Sequence, residues 1–317
     1  MSITRPRLTV VGSFAVGLTI RAPRFPVKGE TLLGSDFDMG PGGKGSNQAV
    51  GAARLGAESH FVGLIGEDPF GEMAVNLYIT EGVHTEHLRR TSQRNTGVGF
   101  ITLNAAGDNH IVLDMGANEL LTETDVDAAE GVIAQSDVVL AVLEIPPATA
   151  ARAMALAQRH GRIAILNPAP AVPVKPALLA HVDVLTPNES ELRILLGLAP
   201  DDPTDTLVLA GRLRQMGVRN IVVTRGSQGA LIIHADGTTE QVLGVAVDVV
   251  DTTGAGDAFT SALAVALAGG QSLSAAVRYA TYAGALACTK LGVIPALATQ
   301  QLVAAFIASR AHNANPA

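Results

Sequence analysis

The chain has 317 residues, 48% of them hydrophobic and 16% charged, which is enough apolar material for a substantial core and too little charge for disorder. A net charge of -7, 3% aromatic residues and no Trp leave neither a basic footprint nor stacking platforms, so nucleic acid is excluded as a partner. Cys288 is the single cysteine and cannot close an internal disulfide, and the first residues run into a strand rather than a signal core, so a soluble cytoplasmic protein is expected. The most apolar helical stretch, "AFTSALAVALAGG", stops at Gly269, well short of the roughly 20 residues a bilayer needs, and no membrane span is expected.

In chain order, "RLTVVGS", "SHFVGLIG", "SDVVLAVLE", "RIAILNPAP", "VDVLTPNE" and "RNIVVTRGS" read as strands. Segments such as "PATAARAMALAQRHG" and "PTDTLVLAGRLRQMG" read as helices between them. This is the pattern of βαβ units: an α/β fold whose mostly parallel sheet is covered on both faces. Ligands bind such sheets outside the carboxyl ends of the strands, where several of these runs finish in polar, Gly- or Pro-containing turns. "GETLLGSDFDMG" and "TGVGFITLNAAGDNHIVLDMG", the second with a turn at 107 to 109, break the pattern and read as β-ribbons. The expectation is one domain over residues 1–317, with a small β lid from about 14–42 and 95–116.

The first chemical motif is "GPGGKGSNQA" at 40–49, a Gly-rich turn opening a helix. It contains G-x-G-x-x-G as Gly40, Gly42 and Gly45, with Glu67 at a spacing suited to a ribose-binding acid, so an NAD(P)-dependent oxidoreductase is one reading. Against it, the element before the glycines reads as a lid ribbon, and Lys44 stands in a loop meant to bring bare backbone to pyrophosphate. With Asn47, the same residues offer a backbone cradle, one cation and one amide, which suits a polyhydroxylated ligand at least as well. His84 and His87 in "VHTEH" have i, i+3 spacing but no Cys or third His nearby, and read as surface histidines rather than a zinc site. Glu144 in "VLEIPP" ends a strand, either facing the ligand edge or as a solvated turn acid. "NPAP" at 167–170 is a stiff turn with no chemistry of its own.

In "TPNESE" at 186–191, Asn188, Glu189 and Glu191 stand at a helix start. They either cap that helix, or Asn188 and Glu191, three apart on one face, hold a hydrated Mg²⁺ against phosphates. In "VVDTTGAGDAF" at 249–259, the amides of Gly254, Ala255 and Gly256 can point out of a tight turn at a helix N-terminus and receive an anion. Asp257 beside such a pocket makes little sense for holding phosphate, since like charges repel, but does for taking a proton from a hydroxyl that attacks it. A plain N-cap after a flexible loop accounts for one acid, not for Asp251 together with both glycines.

Together these motifs resemble the ribokinase-like, or PfkB, family of sugar kinases from about Leu8 to about Phe306. "GGKGSNQA" looks like the family's N-terminal signature and "DTTGAGDAF" like its C-terminal one, while "NPAP" and "TPNESE" are similar to the ribokinase branch. The resemblance implies a three-layer αβα sandwich with a mostly parallel central sheet and a small β-sheet lid that forms a homodimer. It also implies ATP-dependent transfer of the γ-phosphoryl group to a hydroxyl of ribose or a related sugar. On that reading Asp257 is the base, with the amides of Gly254, Ala255 and Gly256 around the phosphoryl group. Gly42, Gly43, Lys44, Asn47 and Glu144 match positions lining the sugar site, and Asn188, Thr224, Gly226 and Gly229, with Gly256, match ATP contacts. Glu191 matches a contact to the water of Mg²⁺. Asp251, with carbonyls at Thr253, Ala287, Lys290 and Gly292, matches a K⁺ site, where Ala296 replaces a common hydroxyl ligand.

One departure bears on the acceptor. Ribokinases usually grip ribose hydroxyls with an Asn and an Asp where "GSFAVGLT" has Ala15 and Gly17. Losing a charged hydrogen-bond partner costs about 1.5–3 kcal/mol, which counts against ribose. Gly17 also opens space for another sugar or a nucleoside. A sugar-binding regulatory protein with weak or no kinase activity is the rival these two positions raise, and Asp257 beside an intact anion pocket argues against it.

Overall fold

The computed structural model describes residues 5–106 and 108–313. Its strands are β1 (Arg7–Val11), β2 (Ala15–Arg21), β3 (Ser35–Gly42), β4 (Glu58–Gly66), β5 (His84–Thr91), β6 (Gly97–Leu103) and β7 (Asn109–Asp114). They continue with β8 (Val138–Val142), β9 (Ile163–Asn167), β10 (Val184–Leu185), β11 (Asn220–Thr224), β12 (Ala230–Ile233) and β13 (Thr239–Val242). Nine form the main sheet in the order β13-β12-β11-β10-β9-β8-β1-β4-β5, and four form a smaller sheet, β3-β2-β6-β7. Every pairing from β11 to β5 is parallel, and only β12 and β13 run antiparallel to their neighbours.

Alternation along each strand divides the apolar side chains between two cores. Leu8, Val10, Val138, Leu140, Ile165 and Val222 face one side, where helices Lys44–Arg54, Ala255–Ala268 and Leu273–Ala287 cover them. Val11, Val139, Ala141, Ala164, Leu166, Ile221 and Val223 face the other, beneath helices Pro147–Arg159, Glu189–Leu195 and Thr206–Gln215. The result is a helix–sheet–helix sandwich. Parallel strands joined by crossover helices start at one sheet edge and finish at the other, so the polar turns after β1, β8, β9, β10 and β11 share an edge.

In the small sheet, Ala15 pairs with Gly42 and Gly97, and Gly17 with Gly40 and Gly99. On the opposite face, register aligns Met39, Leu18, Phe100 and Val112 in one row across all four strands. Gly107, part of the turn expected between β6 and β7, lies outside the described residues. Among the described residues, no helix is long and apolar enough to cross a membrane.

Candidate active site

Beyond β1 the chain turns through Gly12 and Ser13 into the small sheet, and the Gly-rich turn docks on these residues. Gly43, at φ +88°, precedes helix Lys44–Arg54; a Cβ on it would lie 2.8 Å from the Ala15 nitrogen, and one on Gly45 2.5 Å from the Ser13 nitrogen. Both glycines are therefore needed for two backbones to touch, a contact fixed by the Ser46 amide donating to the Ser13 carbonyl at 2.8 Å. This corrects the dinucleotide reading of Gly40, Gly42 and Gly45. The strand before them belongs to the small sheet, and Gly45 packs against protein rather than facing a pyrophosphate.

Glu144, two residues past β8, is not a solvated turn acid. Its Oε2 accepts from the Lys44 amide at 2.7 Å and from the Ser13 hydroxyl at 2.5 Å. Burial pushes its carboxyl above the ordinary range, against the pull of Ser13 and Lys44.

Asp257, in the first turn of helix Ala255–Ala268, is 4% exposed. Asn47 Nδ2 donates to its Oδ2 at 2.8 Å and Gln48 Nε2 to its Oδ1 at 2.9 Å. Gln48 also donates to Asn167 Oδ1 at 3.0 Å, and Asn167 Nδ2 to the Thr186 carbonyl at 3.0 Å. The "NPAP" turn thus does more than stiffen the chain, because Asn167 links the strand ends of β9 and β10 to Asp257. The charge of Asp257 raises the Lys44 ammonium above its ordinary value, outweighing burial, and Glu144 and Glu191 add to the rise. One cation and three carboxylates therefore surround one space at the carboxyl edge of the sheet.

Ser13, Gln48 and Asn167 carry this network, yet sequence reasoning did not single them out as site residues. A readable clue existed: Ser46, Asn47 and Gln48 stand in a row amid small residues of helical spacing, and three buried polar side chains in succession require partners.

Gly254, at φ +81°, opens helix Ala255–Ala268, and a Cβ there would meet Val293 Cγ1 at 2.5 Å. At Gly256 a Cβ would meet nothing within 4 Å, so the backbone faces open space. The amide of Ala255 already donates to the Thr252 carbonyl at 3.2 Å, so this donor of the expected three-amide pocket is shared with the protein. Those of Gly256 and Asp257 belong to the first-turn donors that a helix start leaves unmatched.

Both readings of "TPNESE" leave a trace. Asn188 and Glu191 form a reciprocal capping box at 2.8 Å each way, which realises the capping role. Glu191 still faces the charged space: burial pushes its carboxyl up, while Lys44 pulls it down and Asp257 raises it. Asn188 bridges to Thr224 at the end of β11, next to the turn containing Gly226 (φ +53°) and Gly229 (φ +86°). Asp251 ties two loops together, its Oδ1 accepting from the Thr253 amide at 2.9 Å and its Oδ2 from the Gly292 amide at 3.0 Å. The Ala287 carbonyl accepts from the Lys290 amide at 3.3 Å, and the Cys288 carbonyl takes the amides of Val250 and Asp251 at 2.8 and 3.2 Å.

The sequence model of the pfkB family carbohydrate kinases matches residues 5–300. Ribokinase of Haemophilus influenzae is 37% identical over 303 residues, covering 96% of this chain and 99% of that protein. Ribokinase of Bacillus subtilis is 38% identical over 297 residues, covering 93% and 97%. Among solved structures, Arabidopsis thaliana ribokinase complexed with ribose and ATP gives a TM-score of 0.89 at 31% identity, over 96% of this chain and 99% of that one.

Proposed function

The chain belongs to the pfkB family of carbohydrate kinases and is an ATP-dependent sugar kinase; from that premise we propose that Asp257 takes the proton of the attacking hydroxyl while the first turn of helix Ala255–Ala268 receives the transferred phosphoryl group. The observation that carries this assignment is a buried carboxylate, held by two amide side chains, at the start of a helix opened by Gly254 and Gly256. A carboxylate has about four lone-pair sites, of which Asn47 and Gln48 occupy two, so Asp257 stays oriented and retains capacity for a proton. The amides of Gly254, Ala255 and Gly256, backed by the helix dipole, meet the negative oxygens of the moving group, and the bare Gly256 lets them approach.

Gly42, Gly43, Lys44, Asn47 and Glu144 bind the sugar in this reading. Glu144 and the buried, unpartnered Oδ1 of Asn47 accept from its hydroxyls. Asn188, Thr224, Gly226 and Gly229, with Gly256, bind ATP. Glu191 faces the same space with one oxygen outside the capping box, which fits a water of Mg²⁺, an ion that neutralises phosphate charge. Asp251 keeps lone pairs beyond its two amide bonds, which fits K⁺ together with the carbonyls of Thr253, Ala287, Lys290 and Gly292. Such an ion supplies positive charge that fixes the loop leading into Gly254.

We further propose a cytoplasmic homodimer through the small sheet, supported by the exposed row of Met39, Phe100 and Val112. The acceptor is ribose or a related sugar, with Ala15 and the glycine row Gly40, Gly17 and Gly99 leaving room at one end. The test is ADP formation from Mg-ATP in K⁺ buffer with pentoses, hexoses, deoxysugars and nucleosides. Turnover with one clear preferred acceptor is expected; silence across the panel with sugar binding intact would overturn the assignment of Asp257.

A further inference from the structure

The histidine that matters to His84 is not His87 but His60. The two rings stack across β4 and β5, centroids 4.5 Å apart and 19° from parallel, at positions paired in register. Carboxylates flank them on both sides. Glu58 Oε1 lies 3.1 Å from His60 Nε2, and the Glu86 carboxylate lies 3.9 Å from His60 Nδ1 and 3.4 Å from His84 Nδ1. Between the pairs His60/His84 and Val62/His87, β5 gains one residue over β4, an irregularity of the kind that re-aims side chains.

We propose that Glu58, His60 and His84 form a binding site for a divalent transition-metal ion, with Zn²⁺ the ion of choice and water completing its shell. Two imidazoles among three protein donors disfavour Mg²⁺ and Ca²⁺, which take oxygen, and suit Zn²⁺, which takes nitrogen and oxygen together. One donor atom each from Glu58, His60 and His84 already lie within 4.8 Å of one another. Tetrahedral zinc with bonds of about 2.0–2.1 Å holds its donors roughly 3.3 Å apart. The remaining closure falls to the His84 side chain, 44% exposed, which must turn out of its stack so that its ring lone pair meets that of His60, 10% exposed.

The charge balance also permits a cation. Arg7 donates at 2.9 Å to Oε1 of Glu58, the same oxygen that faces His60, and the Arg5 guanidinium is occupied with the Gly56 and Ala57 carbonyls. Two carboxylates against one directly paired arginine leave the cluster negative. His60 and His84 lie near the amino ends of β4 and β5, at the sheet edge opposite the charged space around Asp257, so the ion would serve as a staple between the edge strand and its neighbour.

The test is calorimetric titration of Zn²⁺ into the full, tag-free chain after chelator treatment, with Co²⁺ as a spectroscopic probe of coordination. One Zn²⁺ per chain at this site, a tetrahedral Co²⁺ spectrum and a raised melting temperature are expected. His84→Asn and Glu58→Gln, both at partly exposed positions and so expected to fold, are expected to weaken Zn²⁺ binding at least about tenfold and to leave sugar phosphorylation by Mg-ATP unchanged. No saturable Zn²⁺ binding to the parent chain, or equal affinity in both variants, would overturn the proposal.

Discussion

Asp257 accepts one hydrogen bond on each oxygen, from Asn47 and from Gln48, so an asparagine in its place keeps the shape but loses the charge and the capacity to take a proton. Asp257→Asn is expected to bind ATP and sugar and to lower turnover at least about a hundredfold, the lower end for a positioned base; single-turnover phosphorylation checks this, and near-normal rates would remove Asp257 from the chemistry. Asp251 makes a prediction in pH. Burial pushes its carboxyl up, but its bonds from Thr253 and from the Gly292 amide outweigh burial, so the folded pKa lies below the ordinary value. A depressed folded pKa gives stability that is present above the unfolded value of about 3.9 and is lost as pH falls through the folded one. The melting temperature should therefore fall below about pH 4, with a shallower slope in Asp251→Asn; an unchanged slope would mean these bonds contribute nothing.

At the scale of elements, the start of helix Glu189–Leu195 separates two roles of one residue. Asn188→Ala removes a cap and is expected to cost about 1 kcal/mol in denaturant unfolding. If Asn188 also binds nucleotide, KM for ATP rises while KM for sugar does not; a stability loss with both constants unchanged would leave it a cap alone. The junction between β1 and helix Lys44–Arg54 is tighter still. Gly45→Ala would set a methyl 2.5 Å from the Ser13 nitrogen, an overpacking expected to cost about 1–3 kcal/mol and to displace the Glu144 contacts, read as a lower melting temperature and weaker sugar binding. The six apolar runs became six of the seven inner strands of the main sheet, because a buried parallel strand must be apolar on both faces. Edge strand β5, "HTEHLRRT", carries no such mark, since the solvent on its outer side makes no demand for apolar residues.

For the whole molecule, Phe100 and Val112 stand 56% and 70% exposed, in register with Met39 at 44%. A sheet face of this kind calls for cover. Sedimentation is expected to show a dimer and the double variant Phe100→Asp/Val112→Asp a monomer; a parent chain that sediments as a monomer would refute the arrangement.

The sequence by itself determined the fold class and the two ends of the site, because periodicity of apolar residues dictates strands and helices locally, and a Gly-rich turn at a helix start has few physical uses. "DTTGAGD" and "GGKGSNQA" were legible for that reason. Only the tertiary structure decided that Asn47 and Gln48 hold Asp257 from a helix more than 200 residues earlier, with Asn167 bracing Gln48 and Ser13 bracing Glu144. It alone set His60 against His84. These contacts join residues far apart in the chain, and the packing that brings them together depends on how strands order themselves across the sheet, which no local pattern encodes.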